Sequence, residues 1–155
     1  MNRVMVPAII AGMFASGAAI AQERIELNII YPLNQEVFQL LDGVYFTQDN
    51  QGYFEVVEGP LEDGAARCIG GGFVGGGRES SVEGICIIGE DADTCTLRWE
   101  VDETGISNNW TIVAGTGRFD GATGEGVATT GVEIMYRAMP LRQTHLVGTI
   151  GMASN

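Results

Sequence analysis

Three features of the amino-acid sequence predict an all-β fold. The stretch Gly115-Thr116-Gly117-Arg118-Phe119-Asp120-Gly121-Ala122-Thr123-Gly124-Glu125-Gly126 sets five glycines around a single Phe. That composition does not suit a helix and does suit a tight corner between strands, with the one aromatic entering a core. Apolar and polar residues also alternate in several short runs, each bounded by Gly, Asn or Asp. Beyond Leu41 no segment sustains a helical period.

Taken in order, residues 1–21 open with Met1-Asn2-Arg3, run through an apolar stretch from Val4 to Ala15 and finish Ala19-Ile20-Ala21, the pattern of a signal peptide with an A-x-A cleavage site. Pro7, Gly12, Ser16 and Gly17 interrupt the stretch, which falls short of the roughly 18–20 apolar residues a membrane span needs. The mature chain, residues 22–155, is therefore expected in a periplasm or outside the cell, without a membrane span of its own. Residues 22–42 read as a lead-in, with a strand at 25–31. Leu33, Val37, Phe38, Leu40 and Leu41 have partial helical spacing that allows a short helix there.

The β domain is read as residues 43–155. Strands are expected at Val44 to Thr47, Tyr53 to Val57, 64–73, 81–88, Cys95 to Val101, Trp110 to Val113, 125–132, 133–139 and His145 to Ile150. In the strand from Cys95, the residues Cys95, Leu97, Trp99 and Val101 share one face, as a sheet with one packed side requires. About eight short strands in one domain either stack as two sheets or close into a barrel, and closure leaves no exposed edge.

The formal net charge is −12, with no Lys and with Arg residues scattered singly. Such a surface repels nucleic acid and anionic lipid, so no nucleic-acid partner is expected. Three cysteines, Cys68, Cys86 and Cys95, in an oxidising compartment favour one disulfide and one free thiol. Cys68 and Cys86 face each other if residues 74–80 form a turn; Cys86 and Cys95 do so if Glu90-Asp91 is the turn. The first pairing is the one preferred. With no C-x-x-C and only one histidine, no metal site is expected.

The corner from Gly115 to Gly124, preceded by the strand Trp110 to Ala114, resembles the G-T-G-[RK]-F-x-G-x-x-G turn of allene oxide cyclase and dirigent-type barrels and their small secreted bacterial relatives. The final strand ending Gly148-Thr149-Ile150-Gly151 and the piece Cys68-Ile69-Gly70-Gly71-Gly72 add to the likeness. The resemblance implies an eight-stranded, calycin-like antiparallel barrel with an apolar cavity. In such proteins the barrel holds a flexible apolar substrate in one productive shape, which needs few catalytic side chains. Any enzyme activity would then be that of a cofactor-independent cyclase or isomerase, and no catalytic residue can be matched position by position. Phe73, Trp99, Trp110, Phe119, Met135 and Tyr136 are candidates to line or cap the cavity of a barrel that binds a small apolar ligand. The same side chains could instead fill it, giving a non-catalytic scaffold or interaction module, and a homo-oligomer is open in either case.

The remaining polar features weigh less. His145 is the lone imidazole, and no G-x-S-x-G elbow accompanies it. Arg98 and Glu100 are expected to face water, since burying an unpaired charge is costly. Glu90-Asp91-Ala92-Asp93 reads as a solvated hairpin loop rather than a calcium loop, whose full D-x-[DN]-x-[DN]-G pattern is missing. The Gly70-Gly71-Gly72 and Gly75-Gly76-Gly77 clusters lack the Lys of a phosphate-binding loop and read as a flexible turn or a barrel corner.

Overall fold

The computed structural model describes residues 21–76, 81–102, 107–137 and 139–153. The signal peptide expected at the N-terminus lies, apart from Ala21, outside the described residues. Nine antiparallel strands follow one another: β1 (Gln22–Pro32), β2 (Gln35–Gln39), β3 (Val44–Glu58), β4 (Gly64–Val74), β5 (Ser81–Glu90), β6 (Asp93–Val101), β7 (Ser107–Gly115), β8 (Thr123–Tyr136) and β9 (Met139–Gly151). One short 3-10 turn, Gly117–Phe119, joins β7 to β8. The strand order is β1-β9-β8-β7-β6-β5-β4-β3-β2, and β1 also pairs with β3. That last pairing, from Ile30↔Tyr53 to Glu26↔Glu58, closes eight strands into the expected barrel.

The ninth strand is an extension of the first. Ile30↔Tyr53 and Gln35↔Gln48 belong to one continuous register along β3, so β1 and β2 occupy the same edge of β3 in succession. The segment whose apolar spacing allowed a short helix is thus a strand, because its backbone groups find partners along β3. Two further sequence boundaries dissolve. The expected strands Val44 to Thr47 and Tyr53 to Val57 are one strand: the Asp49-Asn50-Gln51-Gly52 signal for a turn is overridden by ladder partners on β4, Asn50↔Cys68 among them. Likewise 125–132 and 133–139 merge into β8, which carries a bulge at Gly131, where φ is 151° and the register shifts.

Alternation sends one face of each strand inward. Ile25, Leu27, Ile29 and Tyr31 of β1, Cys95, Leu97 and Trp99 of β6, and Leu146 and Ile150 of β9 are all buried. They form a single core with Phe54, Trp110 and Phe119. Phe119 is fully buried within the glycine corner. The corner winds tightly: Phe119 N–H donates to Thr116 O at 3.0 Å and Ala122 N–H to Phe119 O at 3.0 Å, while Gly117 and Gly121 take positive φ. It is tied to the β5–β6 turn through Thr116 Oγ1–H to Ala92 O at 2.7 Å and Arg118 N–H to Asp93 Oδ1 at 3.0 Å. Antiparallel order then sorts the connections. The corner, the β3–β4 and β5–β6 turns, the start of β1 and the finish of β9 lie at one end; the tips between β2–β3, β4–β5, β6–β7 and β8–β9 lie at the other.

Cys68 and Cys86 are ladder partners on β4 and β5 and form the disulfide, as preferred from the sequence. Cys95 is a free, fully buried thiol, and burial pushes its pKa up to about 11. Among the described residues no helix is long and apolar enough to cross a membrane.

Candidate functional site

The interior is organised by one row of residues that crosses six consecutive strands. Register places Gly70, Gly84, Trp99, Trp110, Gly126 and Gly148 side by side on β4 to β9. Each indole lies over a pair of glycines. A Cβ at Gly70 or Gly84 would sit 2.4 Å from Trp99 Cζ2, and one at Gly126 or Gly148 would sit 2.6 or 2.4 Å from Trp110 Cζ2. Two large rings at directly paired positions fit inside an eight-stranded barrel because the strands they cover carry no side chain at that level. The two rings extend in opposite directions around the wall.

Between them remains a pocket of about 50 Å³. Its walls are Ile29, Leu97, Ala128 and Leu146, the two indoles and the Cys68–Cys86 disulfide. The rest of its lining is polar and lies on adjacent strands: Tyr31 (β1), Thr144 (β9), Thr130 (β8) and Asn108 (β7). These four form a continuous hydrogen-bonded chain. Tyr31 Oη and Thr144 Oγ1 are 3.1 Å apart, Thr144 Oγ1 and Thr130 Oγ1 are 3.1 Å apart, and Asn108 Nδ2 donates to Thr130 Oγ1 at 3.2 Å. Tyr31 and Thr144 are buried, whereas Asn108 and Thr130 are half-buried. At roughly 10–15 Å³ per water, the pocket of about 50 Å³ has room for about three to five waters or the end of an organic molecule. Among the described residues no carboxylate, imidazole, lysine or arginine lines it.

The sequence candidates fall in three places. Trp99 and Trp110 line the pocket together. Phe119 is buried in the corner and is not part of the pocket lining. Phe73, Met135 and Tyr136 are exposed near the β4–β5 and β8–β9 tips. There Phe73 stacks at 4.8 Å on Tyr45, which lies 6.1 Å from Phe38, and Arg137 covers the Tyr136 ring. Tyr31, Asn108, Thr130 and Thr144 were not singled out from the sequence. The available signal was a polar residue at an inward position: Thr144 shares its strand face with Leu146 and Ile150, and Asn108 shares its face with Trp110.

His145 is on the outer wall. Its Nδ1 is 3.0 Å from Asn28 Oδ1 and its Nε2 is 3.5 Å from Glu26 Oε1. Arg98 pairs with Glu83 at 2.8 Å on the outer wall, where the exposed guanidinium pKa is raised chiefly by the hydrogen bond it donates to that carboxylate. At the corner end, Glu62, Asp63, Glu90, Asp91, Asp93 and Arg118 border a second, wetter hollow of about 320 Å³. Its charges are partly engaged in holding loops together, with Arg118 on Glu62 at 3.3 Å and Val56 N–H on Asp63 Oδ1 at 2.7 Å. Among the described residues no group of three or more His, Cys, Asp or Glu side chains is placed to hold a metal ion.

Compared by sequence, the chain matches no family profile and no curated protein. Compared by structure, it is similar to the pterocarpan synthase dirigent proteins GePTS1 and PsPTS1. Both are 11% identical to it, with TM-scores of 0.51 and 0.52; the matches cover 86% and 87% of this chain and 92% and 97% of theirs. At that identity the likeness speaks for the fold, and the chain folds as a dirigent-type β-barrel.

Proposed function

We propose that this protein is a secreted barrel that binds a small, mostly apolar ligand in the pocket between Trp99 and Trp110. The observation that carries the reading is the pocket's composition. An apolar wall of two indoles, aliphatic side chains and a disulfide is faced by one short polar row, the arrangement by which protein sites orient small molecules. With no carboxylate, imidazole or amine among the described lining residues, any chemistry would come chiefly from holding the ligand in a reactive shape, as in a cofactor-independent cyclase or isomerase. Binding without chemistry is the simpler form of the proposal. The pocket's modest volume means that a larger ligand would extend toward the β-strand tips, where Phe73, Met135 and Tyr136 are exposed. Secretion is supported by the signal-peptide pattern of residues 1–21 and by the Cys68–Cys86 bond.

A second reading, a scaffold with a side-chain-filled barrel, is favoured by the closeness with which Trp99 and Trp110 fill their glycine slots. Native mass spectrometry of protein from its own host, followed by titration of small ketones, phenols and hydrocarbons against tryptophan fluorescence, decides between the two. A retained molecule, or quenching that disappears in Trp99→Phe, supports the ligand reading. No retained mass and no fluorescence or thermal response across the panel supports the scaffold. N-terminal sequencing of the exported protein tests cleavage after Ala21.

A further inference from the structure

Among the described residues, two buried side-chain nitrogen or oxygen atoms have no hydrogen-bond partner, and both are donors. Asn50 is 1% exposed, and its Oδ1 accepts the Asn34 N–H at 2.7 Å. That bond fixes which end of the amide is the oxygen, and it leaves Nδ2 unpartnered. Asn50 is the ladder partner of Cys68, part of the pocket wall. The second orphan is Nε1 of Trp99, itself a pocket residue; its counterpart on Trp110 donates to Val127 O at 3.2 Å.

A third donor follows from counting protons along the polar row. Tyr31, Thr144 and Thr130 carry three hydroxyl protons. The two hydroxyl-to-hydroxyl bonds use two of them, and the third bond of the row uses an amide proton of Asn108. Whichever way the row is oriented, one hydroxyl proton is left without an acceptor among these four groups. Buried donors without partners are rare in folded proteins, and two of these, the Trp99 indole N–H and the spare hydroxyl proton of the row, belong to groups that line one cavity and call for an acceptor there.

Resting on the ligand-binding reading above, we propose that the pocket recognises a neutral carbonyl oxygen, that of a ketone, aldehyde or ester. A carbonyl oxygen has two lone pairs and no proton of its own to place, so it complements a wall whose unspent groups are donors. A carboxylate would also accept, but no cation lines the pocket to pair with it, and burying an unpaired charge is far costlier than burying a dipole. An amine would bring further donors to a site already holding too many. The wall therefore selects by polarity as well as by size. Trp99 and the Tyr31–Thr144 pair are the specificity-determining groups.

The test uses two probes of one shape, cyclohexanone and methylenecyclohexane, titrated into the oxidised mature protein while the indole and side-chain amide N–H resonances are followed by NMR. Trp99→Phe assigns the indole signal. The ketone is expected to bind at least tenfold more tightly and to move the Trp99 Nε1–H signal downfield. Thr144→Val or Tyr31→Phe should narrow the preference by weakening ketone binding more than hydrocarbon binding. Equal affinity for the two probes with an unmoved indole signal would overturn the carbonyl assignment and leave ligand binding standing. Binding of neither probe would overturn both. The comparison of probes on the unmodified protein does not depend on any variant folding.

Discussion

Breaking the Cys68–Cys86 bond probes the barrel where its chain entropy is most constrained. The two cysteines are 18 residues apart in sequence and are ladder partners in adjacent strands. In the chain-entropy treatment, cross-linking a loop of that length removes about 3 kcal/mol of conformational freedom from the unfolded chain at 25 °C. A domain of this size is stable by about 5–15 kcal/mol in total, so the bond accounts for a fifth or more of the margin. The assay is urea unfolding of the mature protein with and without a phosphine reductant, beside Cys68→Ala/Cys86→Ala. With a urea slope of about 1–3 kcal/mol per molar, the midpoint should fall by about 1–3 M. Cys95 should not confuse the result. It is fully buried, and with a pKa near 11 it carries almost no thiolate at neutral pH to attack the bond. A loss below about 1 kcal/mol, or a peptide map that finds Cys86 joined to Cys95, would refute the reasoning from register to stability.

Other expectations follow from the same structure. Phe119→Ala removes a fully buried ring from the corner and should cost about 3–5 kcal/mol, read as a lowered urea midpoint; near-neutral stability would mean that the corner is not packed around that ring. Gly148→Ala places a methyl 2.3 Å from Glu125 O and 2.4 Å from Trp110 Cζ2, so overpacking should cost about 1–3 kcal/mol, and only part of that should return in the double variant with Trp110→Leu, because the carbonyl cannot move aside. Cys95 should be silent to a thiol reagent at pH 8 in the native state and react once the protein is unfolded in urea, since its neutral form persists until the pH approaches about 11. On the outer wall, Arg67 grips Asp49 at 2.8 and 2.7 Å and holds that carboxyl below its ordinary value, chiefly by hydrogen bonding. Whatever stability the pair adds is present above the ordinary carboxylate range and lost as the pH falls through the lowered value. Both groups are exposed, so acid unfolding of Arg67→Ala should differ from that of the parent at low salt and not in concentrated salt.

Much of this molecule was legible in its residues. Period-two alternation revealed the inward face of β6, and the glycine corner around Phe119 could be read because a lone aromatic among glycines needs a core to enter. The preferred cysteine pair was legible for a similar reason: strands expected at 64–73 and 81–88 that pair as neighbours put the two cysteines at matching positions. Local patterns misled where longer-range pairing outweighed them. Asp49-Asn50-Gln51-Gly52 looks like a turn until β4 lies beside it, and residues 35–39 look partly helical until β3 offers them partners.

Strand class, inward faces and the packed corner are properties of the chain itself, because they arise from the spacing of side chains along a backbone. Closure through β1 and β3, the row of two tryptophans over four glycines, and the pocket with its unspent donors depend on which strands become neighbours. Those relations join residues far apart in the chain, Tyr31 to Thr144 across more than a hundred positions for one, and only the register of a closed barrel makes them adjacent.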